Sequence, residues 1–529
     1  MVESFPILTI LPPLVAIIMV IATRKVLASL ASGVILSILL ITNFHPVESL
    51  KLLFSSVLEL FWADGAPNWY NILILAFLLE LGAITAIVLM SGGTQAFSNW
   101  ARKRVKNRRD SQILTVILGM VIFIDDYFNA LAVGQISRPI SDQHKVSRAK
   151  LAYLVDSSSA PTVVLVPLSS WGASIIGIMA PILAASALTM SEMEVFLRSA
   201  AMNFYAIAAI ILLWVVVLWQ LDFGSMRREE QRAASGKGVL ADKDDVPGQI
   251  TDNLPTHDRG TIRALAVPFA VLVVGVISGM YLTGARAADS WSALDAMANA
   301  DVAMALNIGG IAGLLIALIY CIRYTRHDEK FTAGVITRGS LEGAKSMLPA
   351  IYILLLAWML GSLISELGTG AYFASIVTSL SVTPIWLVPV LFLIAAGMAF
   401  ATGTSWGSFG ILLPLAGEIM NAAAPDGTLL IPAFGAVLAG SVWGDHSSPI
   451  SDTTILSSTG AGCSVATHVN TQLPYAFVGA AAALTGYILF AITSSALVGF
   501  VSMIIGLGII VVMLKSRNRL TVEEVAAEA

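Results

Sequence analysis

Residues 444–454 read GDHSSPISDTT and lie within a longer apolar stretch, 428–459. Three similar polar clusters interrupt other apolar stretches: FIDDYFNA (123–130), VDSSSAP (155–161) and TGTSWGS (402–408). Gly and Pro break helices, and non-helical backbone at membrane depth is tolerated only where protein or water surrounds it. If these stretches lie in a membrane, each cluster predicts a broken helix with an internal polar environment.

The composition indicates that they do lie in a membrane. The chain has 529 residues, of which 57% are hydrophobic and 12% are charged, whereas soluble domains have about 25% charged residues. This excludes a cytosolic enzyme and a disordered protein. A net charge of −4 gives no reason to expect a nucleic-acid partner, and two cysteines exclude a disulfide framework or a cysteine-rich metal site. We predict an all-α polytopic membrane protein in contact with the lipid bilayer.

Nine apolar segments are of a length that spans the hydrocarbon core, which takes about 20 residues. These segments are 5–23, 26–43, 70–92, 196–222, 262–284, 302–324, 346–366, 471–491 and 493–514. The stretches 151–187 and 428–459 predict two further crossings with breaks. Segment 112–140 has basic residues on both sides and segment 384–420 has none, so each predicts a re-entrant hairpin, from the cytoplasm and from outside respectively. The alternative is that each hairpin is a full span.

The Lys and Arg residues of the loops predict eleven crossings, an outer N-terminus and a cytoplasmic C-terminus. The two halves also resemble each other: Glu80-Leu81-Gly82 recurs as Glu366-Leu367-Gly368, and the cluster at Asp156 recurs loosely at Asp445. Inverted repeats with broken helices are typical of secondary transporters. The predicted units are scaffold helices 1–69, a first repeat 70–222, a cytoplasmic linker 223–261, scaffold helices 262–345, a second repeat 346–491, and a last helix with a cytoplasmic tail 492–529.

The four clusters are rich in carboxylate, hydroxyl and free carbonyl oxygens, which hard cations such as Na⁺ prefer. A carboxylate inside a membrane is costly and marks a functional site by default. The carboxylates are Asp125, Asp126, Asp156, Asp445 and Asp452. The alternative is that some of them only cap half-helices. Asp125 and Asp126 are adjacent and cannot both face one site along a regular helix.

Three further residues are candidates for a proton relay. Glu80 and Glu366 sit late in their spans, where simple helix-end contacts are the alternative, and His446 could titrate or act only as a hydrogen-bond partner of an Asp. Trp171, Trp406 and Trp443 lie beside glycines and are expected to pack against them. The run Gly403-Thr404-Ser405-Trp406-Gly407 also fits the nucleophile elbow of serine hydrolases, with His446 as base, although the flanking membrane helices are the wrong context.

The run GDHSSPISDTT, together with GTSWG, FIDDYFNALAVG and LVDSSSAP, resembles the NhaC family of sodium–proton antiporters over residues 70–490. The resemblance implies two inverted repeats with two re-entrant hairpins, a homodimer, and a moving transport domain. Some relatives exchange malate for lactate, and others move amino acids. The ion- or substrate-binding positions that we predict from the motifs and the resemblance are Asp125, Asp126, Asn129, Asp156, Ser157, Ser158, Thr404, Ser405, Asp445, Ser447, Ser448, Asp452 and Thr453, with Na⁺ at Asp126, Asp156, Asp445 and Asp452.

We therefore expect a Na⁺/H⁺ antiporter of the cell membrane, which is not an enzyme and needs no cofactor beyond the transported Na⁺ and H⁺. A Na⁺- or H⁺-coupled carrier of a small organic solute is the alternative. No Lys or Arg occurs in the four clusters, or anywhere in the 169 residues between Lys345 and Lys515. This disfavours a carboxylate substrate, which usually requires a fixed positive charge, and suits a pathway for cations.

Overall fold

A computed structural model describes residues 5–23, 25–63, 65–123, 125–167, 169–240, 254–369, 371–372, 375, 379, 383–424 and 426–527 of the chain. Within this part the fold is helical, with one small hairpin of two antiparallel strands, β1 (Trp62–Ala63) and β2 (Ala66–Pro67). Most of residues 367–383, between the predicted span 346–366 and the predicted hairpin 384–420, and residues 241–253 of the predicted linker lie outside the described residues. The all-α fold that the composition predicts is confirmed.

In its described residues, the first half contains thirteen α-helices of 4 to 22 residues. They are α1 (Leu11–Thr23), α2 (Val26–Ile41), α3 (Pro46–Glu59), α4 (Trp69–Met90), α5 (Gly93–Arg104), α6 (Arg108–Val121), α7 (Asp126–Gln143), α8 (Arg148–Ser158), α9 (Ala160–Val163), α10 (Ser170–Ala184), α11 (Glu192–Ala201), α12 (Phe204–Trp219) and α13 (Gly224–Ala234). A 3-10 helix, Pro6–Ile10, precedes α1.

The second half is helical as well. Its helices are α14 (Arg263–Ala287), α15 (Ala293–Ala298), α16 (Val302–Thr325), α17 (Ala333–Lys345), α18 (Leu348–Glu366), α19 (Leu387–Thr402), α20 (Ser405–Ala423), α21 (Leu430–Ser447), α22 (Asp452–Ala461), α23 (Val465–Thr493) and α24 (Ala496–Ala527), with a 3-10 helix, Pro384–Trp386, before α19.

Seven helical segments of the described chain are long and apolar enough to cross a membrane. They are Trp69–Met90, Phe204–Ala234, Arg263–Ala287, Val302–Thr325, Pro384–Thr402, Val465–Thr493 and Ala496–Ser516, of which Phe204–Ala234 comprises α12 and α13. Four shorter apolar helices, Pro6–Met19, Leu27–Ile41, Ser174–Ala184 and Ile351–Glu366, lie at or near predicted crossings. The chain is a multi-pass membrane protein, and the count of eleven crossings stays a prediction. Pro384–Thr402, the predicted first arm of the outer hairpin, is itself long enough to cross.

All four polar clusters interrupt helices, as predicted. α6 ends at Val121 and α7 begins at Asp126; α19 ends at Thr402 and α20 begins at Ser405. The other two breaks separate α8 from α9 at Ser159 and α21 from α22 at residues 448–451. Each predicted repeat therefore contains one helix–break–helix unit followed by one broken helix. Nearby side chains bond to the open backbone groups where the helices break. Ser451 is the N-cap of α22 and accepts a hydrogen bond from the backbone N–H of Thr454.

The breaks of the two halves meet because small residues allow close packing. α7 of the first repeat packs along α22 of the second repeat. At their contact, a Cβ atom on Gly134 would lie only 2.5 Å from the carbonyl carbon of Gly460, so neither glycine could carry a side chain without displacement. Residues that are about 325 positions apart in the sequence are thereby brought together around the start of both helices.

The segment predicted as the linker begins with a packed helix. α13 lies within residues 223–261, and the buried Glu230 accepts a hydrogen bond from the backbone N–H of Ser147 at 2.7 Å and pairs with Arg108. Arg148 and Lys150, two of the basic residues that follow segment 112–140 and predict a cytoplasmic loop there, belong to the first turn of α8. Both are buried and ion-paired, with Asp142 and Asp222 respectively. The linker is therefore tied to the first repeat at its start.

Candidate cation-binding site

Asp445 joins the two breaks of the second repeat. Its Oδ2 atom accepts hydrogen bonds from the backbone N–H of Ser405 at 3.1 Å and from the Ser405 hydroxyl at 2.8 Å. Its Oδ1 atom accepts hydrogen bonds from the hydroxyls of Ser451 and, at 3.4 Å, Thr453. The side chain is buried and lies near the C-terminal end of α21, where the helix dipole disfavours a negative charge. These contacts hold α20, α21 and α22 around one carboxylate.

Asp126 and Asp452 occupy the first turns of α7 and α22. Asp452 accepts a hydrogen bond from the Tyr127 hydroxyl, and Asp126 Oδ1 accepts one from Trp171 Nε1 at 2.9 Å. Asp126 is buried, and its Oδ2 atom has no hydrogen-bond partner among the described residues. Tyr127 directly follows Asp126 in α7, so its hydrogen bond to Asp452 links the start of α7 to the start of α22. Carboxylates from both halves of the chain therefore lie at the helix breaks that meet.

Asp156 lies in a second, fully buried polar cluster. Its Oδ1 atom accepts a hydrogen bond from Ser457 at 2.9 Å, and its Oδ2 atom lies 3.2 Å from His468 Nε2 and accepts one from Gln472 Nε2 at 2.5 Å. His446 Nε2 is 3.8 Å from the same oxygen. Since three donors already satisfy this carboxylate, its surroundings differ from those of Asp126.

His446 connects this cluster to its neighbours. Its Nε2 atom is 3.1 Å from the Ser157 hydroxyl, and its Nδ1 atom is 2.7 Å from the Tyr205 hydroxyl. His446 follows Asp445 in α21, so the two polar clusters are adjacent along one helix. Within the part of the chain that the structure describes, no three His, Cys, Asp or Glu side chains are arranged to hold one metal ion. The common Na⁺ site of four aspartates stays a prediction.

The capping alternative accounts for little of this arrangement. The N-cap of α22 is Ser451 rather than Asp452, and Asp156 and Asp445 both lie near the C-terminal ends of their own helices. Asp445 does satisfy the first backbone N–H of the neighbouring α20. Asp445 therefore helps to cap the start of α20, although it belongs to another helix, α21.

Two cavities lead to the carboxylates. The larger has a volume of about 860 Å³, and its wall includes Asp452, Thr404 and Trp406 together with residues of α3, the β1–β2 hairpin and α18. The smaller, of about 250 Å³, is lined in part by Asp125 and Asp126. Tyr70, Tyr127 and Trp406 line both cavities, so the two spaces adjoin at these three side chains.

The family model of the Na⁺/H⁺ antiporter family matches residues 162–492, more than half of the chain. The chain belongs to the Na⁺/H⁺ antiporter family. This confirms the resemblance to NhaC-type antiporters, and it identifies the protein as a secondary transporter.

Three relatives extend this comparison. An uncharacterized protein of Haemophilus influenzae is 42% identical over 96% of this chain and 95% of its own length. A malate-2H⁺/Na⁺-lactate antiporter of Bacillus subtilis is 38% identical over 16% of this chain and 19% of its own. An arginine/ornithine antiporter of Halobacterium salinarum is 33% identical over 25% of each chain.

Several residues predicted for the site form hydrogen bonds at the helix breaks, and their role in binding stays a prediction. Asn129 Nδ2 donates to the carbonyls of Gly119 and Ile122 at 2.5 and 2.7 Å, so it satisfies the open C-terminal end of α6. The Ser448 hydroxyl donates to the carbonyl of Phe400 at 2.8 Å. Thr404 is the N-cap of α20, and Ser158 donates to carbonyls of its own helix. The buried Ser447 hydroxyl has no hydrogen-bond partner among the described residues.

The predicted relay glutamates lie on other helices. Glu80 is in α4 against α16, where a Cβ atom on Gly310 would meet its carboxylate, and Glu366 is the exposed last residue of α18. Ser405, the candidate hydrolase nucleophile, donates to Asp445 and to the carbonyl of Ser441. The ring nitrogens of His446 contact Ser157 and Tyr205 instead of Ser405.

The two polar clusters also contain residues that we did not predict as binding positions. Tyr127 and Ser451 lie inside the quoted clusters, where their hydroxyl groups were the available signal. Trp171 was expected only to pack, yet it also donates to Asp126. His468 and Gln472 are one helical turn apart in α23. That spacing of two polar residues within an apolar helix was the available signal for them.

Proposed function

We propose that this transporter exchanges Na⁺ for H⁺ across the cell membrane, with the N-terminus outside and the C-terminus in the cytoplasm. The observation that carries the proposal is the group Asp126, Asp445 and Asp452, which is contributed by both repeats at the helix breaks. None of the hydrogen bonds described for these three carboxylates comes from Lys or Arg.

Burying several negative charges together is costly unless a cation or protons neutralise them. Either Na⁺ or H⁺ could do so here, and a site that holds one or the other in turn couples the two movements. Oxygen ligands for Na⁺ are available from the carboxylates and from the hydroxyls of Ser405, Ser451 and Thr453. The family resemblance supports a homodimer as the assembly in which this exchange takes place.

The test is proton movement in proteoliposomes that hold the purified protein and a pH-sensitive dye. Added Na⁺ should dissipate a preset pH gradient without any organic solute. Asp445→Asn should abolish this response, because the amide carries no charge and cannot accept the Ser405 and Ser451 hydrogen bonds with both of its polar atoms. Asp426→Asn is the matched control, since Asp426 lies in an exposed loop and bonds only locally to Thr428.

The same assay tests Asp156. We expect Asp156→Asn to abolish exchange as well, because Asp156 links the first repeat to α22 and α23 through Ser457 and Gln472. Wild-type protein that leaves the gradient intact on Na⁺ addition would contradict Na⁺/H⁺ exchange. Full exchange by both the Asp156 and Asp445 variants would show that these carboxylates serve only the structure.

A second candidate function is coupled transport of a small organic solute. It is favoured by the 860 Å³ cavity, which is in the range of small-molecule sites and far larger than a bare cation requires. Relatives named for malate, lactate, arginine and ornithine support the same candidate. It would be established if Na⁺ moved protons only when an organic solute was present.

A further inference from the structure

The larger cavity has an unusual wall for a cation pathway. Five aromatic side chains line it: Trp62, Tyr70, Tyr127, Trp358 and Trp406. Two carboxylates, Asp452 and Glu59, also line it, and its described lining contains no Lys, Arg or His. The wall therefore combines aromatic side chains with negative charge.

This combination is not needed for Na⁺ alone. A hard metal cation is bound by oxygen atoms that surround it closely, and aromatic rings supply none. Aromatic faces and a nearby carboxylate instead suit an organic ammonium group, since the negative face of a ring attracts a cation that is large and weakly hydrated. The volume of about 860 Å³ leaves room for such a molecule.

The charges of the wall also discriminate between solute classes. An organic carboxylate in this cavity would face Asp452 and Glu59 without a fixed positive charge among the described lining residues. An ammonium compound that lacks a carboxylate would meet no such repulsion. The wall therefore favours amines over organic acids.

The cavity also adjoins an unsatisfied acceptor. Tyr70, Tyr127 and Trp406 separate it from the smaller cavity, which Asp126 lines. Asp126 is 2% exposed, and its Oδ2 atom has no hydrogen-bond partner among the described residues. A cationic group that passes the three aromatic side chains would find a buried acceptor beyond them.

We propose that the larger cavity binds an organic ammonium compound, with Asp452 as counter-ion and Tyr70 and Trp406 as aromatic contacts. This proposal depends on the proposed function at one point, because it takes Asp452 to be part of the cation pathway. The compound competes with Na⁺ for Asp452 and enters from the side of the β1–β2 hairpin.

The first test compares choline with 3,3-dimethylbutan-1-ol, its uncharged analogue of the same shape, in the proteoliposome assay. Choline should inhibit Na⁺-driven proton movement competitively with Na⁺, and the alcohol should not. Equal inhibition by both compounds would overturn the proposal, because the cavity would then recognise shape and apolar surface alone. Normal exchange that choline does not affect would also overturn it, while the proposed Na⁺/H⁺ exchange would stand.

The second test measures choline binding directly, through tryptophan fluorescence of the purified protein without Na⁺. Trp406→Leu should weaken choline binding by about 3- to 30-fold, the usual contribution of a cation–π contact. Trp291→Leu is the control, since Trp291 is 65% exposed and does not line either cavity. If Na⁺ drives no proton movement but choline still binds through Trp406, the proposed exchange fails and the ammonium site stands. Failure of choline to bind the wild-type protein would overturn the ammonium site.

Discussion

Lys150 forms an ion pair with Asp222 inside the protein. It belongs to a basic stretch that predicts a cytoplasmic loop, yet its side chain is fully buried in the first turn of α8. Its Nζ atom lies 2.5 Å from Asp222 Oδ1 and 5.7 Å from the ring centroids of Tyr153 and Tyr475. Both aromatic rings thus shield the ion pair from water.

We expect Lys150→Met to destabilise the protein by about 3–5 kcal/mol, because it removes the fully buried positive charge that pairs with Asp222 at 2.5 Å. The double variant Lys150→Met/Asp222→Asn should recover part of the loss. Thermal and chemical unfolding in detergent would measure both effects.

Lys345→Met provides the control for this prediction. Lys345 is 62% exposed and pairs with Glu342 on the surface of α17, so its loss should cost at most about 1 kcal/mol. If Lys150→Met were as mild as Lys345→Met, the buried pair would contribute nothing to stability.

At the scale of elements, the helix breaks depend on backbone conformations that few residues adopt. Gly403 ends α19 with a φ angle of 73°, in the left-handed region. A Cβ atom on Gly403 would also lie 2.7 Å from the carbonyl oxygen of Ile450, in the other break of the same repeat. Gly403 therefore determines how closely the two breaks approach each other.

Gly403→Ala should destabilise the protein by about 1–2 kcal/mol through the left-handed conformation alone. It should also strongly reduce Na⁺-driven proton movement, because the clash with Ile450 separates Ser405 from Asp445. Unfolding measurements and the proteoliposome assay would test the two effects separately.

Gly410→Ala is the matched control within α20. A Cβ atom there meets nothing within 4 Å, and Ala favours a helix more than Gly does, so stability should be unchanged or slightly higher. Wild-type exchange by Gly403→Ala would show that the approach of the two breaks is not required.

At the scale of the whole molecule, the two halves enclose the polar clusters. α7 and α8 of the first half pack against α22 of the second, and long apolar helices such as α14 and α16 pack together elsewhere in the chain. The orientation of this arrangement in the membrane follows only from the distribution of Lys and Arg, as argued above. Arg148 and Lys150 form buried ion pairs, so these two basic residues do not support the predicted orientation.

Cysteine labelling would test the orientation. Asp289→Cys should react with a membrane-impermeant maleimide added outside intact cells, and Ser235→Cys should react only after permeabilisation. Both positions are exposed, and the native Cys321 and Cys463 are buried, so the background should be low. The reverse labelling pattern would show that the chain is inserted the other way round.

The breaks themselves were predictable from sequence, because Gly, Pro, Ser and Asp act on the backbone within a few residues. The residues that the breaks contact were not predictable from sequence. Tyr127 meets Asp452 across 325 positions, Gln472 meets Asp156 across 316, and Ser405 meets Asp445 across 40. Which carboxylates share a cluster, and which remain unsatisfied, depends on contacts that no local pattern encodes.

By itself, then, the sequence determined that this is a multi-pass helical membrane protein, where its helices break, and to which family it is similar. Composition and local backbone chemistry suffice for these conclusions, because the bilayer forces apolar chain into helices and confines polar chain to the interior. Only the tertiary structure decided that Asp126, Asp445 and Asp452 lie at the meeting breaks while Asp156 has its own satisfied cluster. It also revealed the aromatic cavity, because a cavity is formed by the packing of distant helices and has no counterpart in the order of residues.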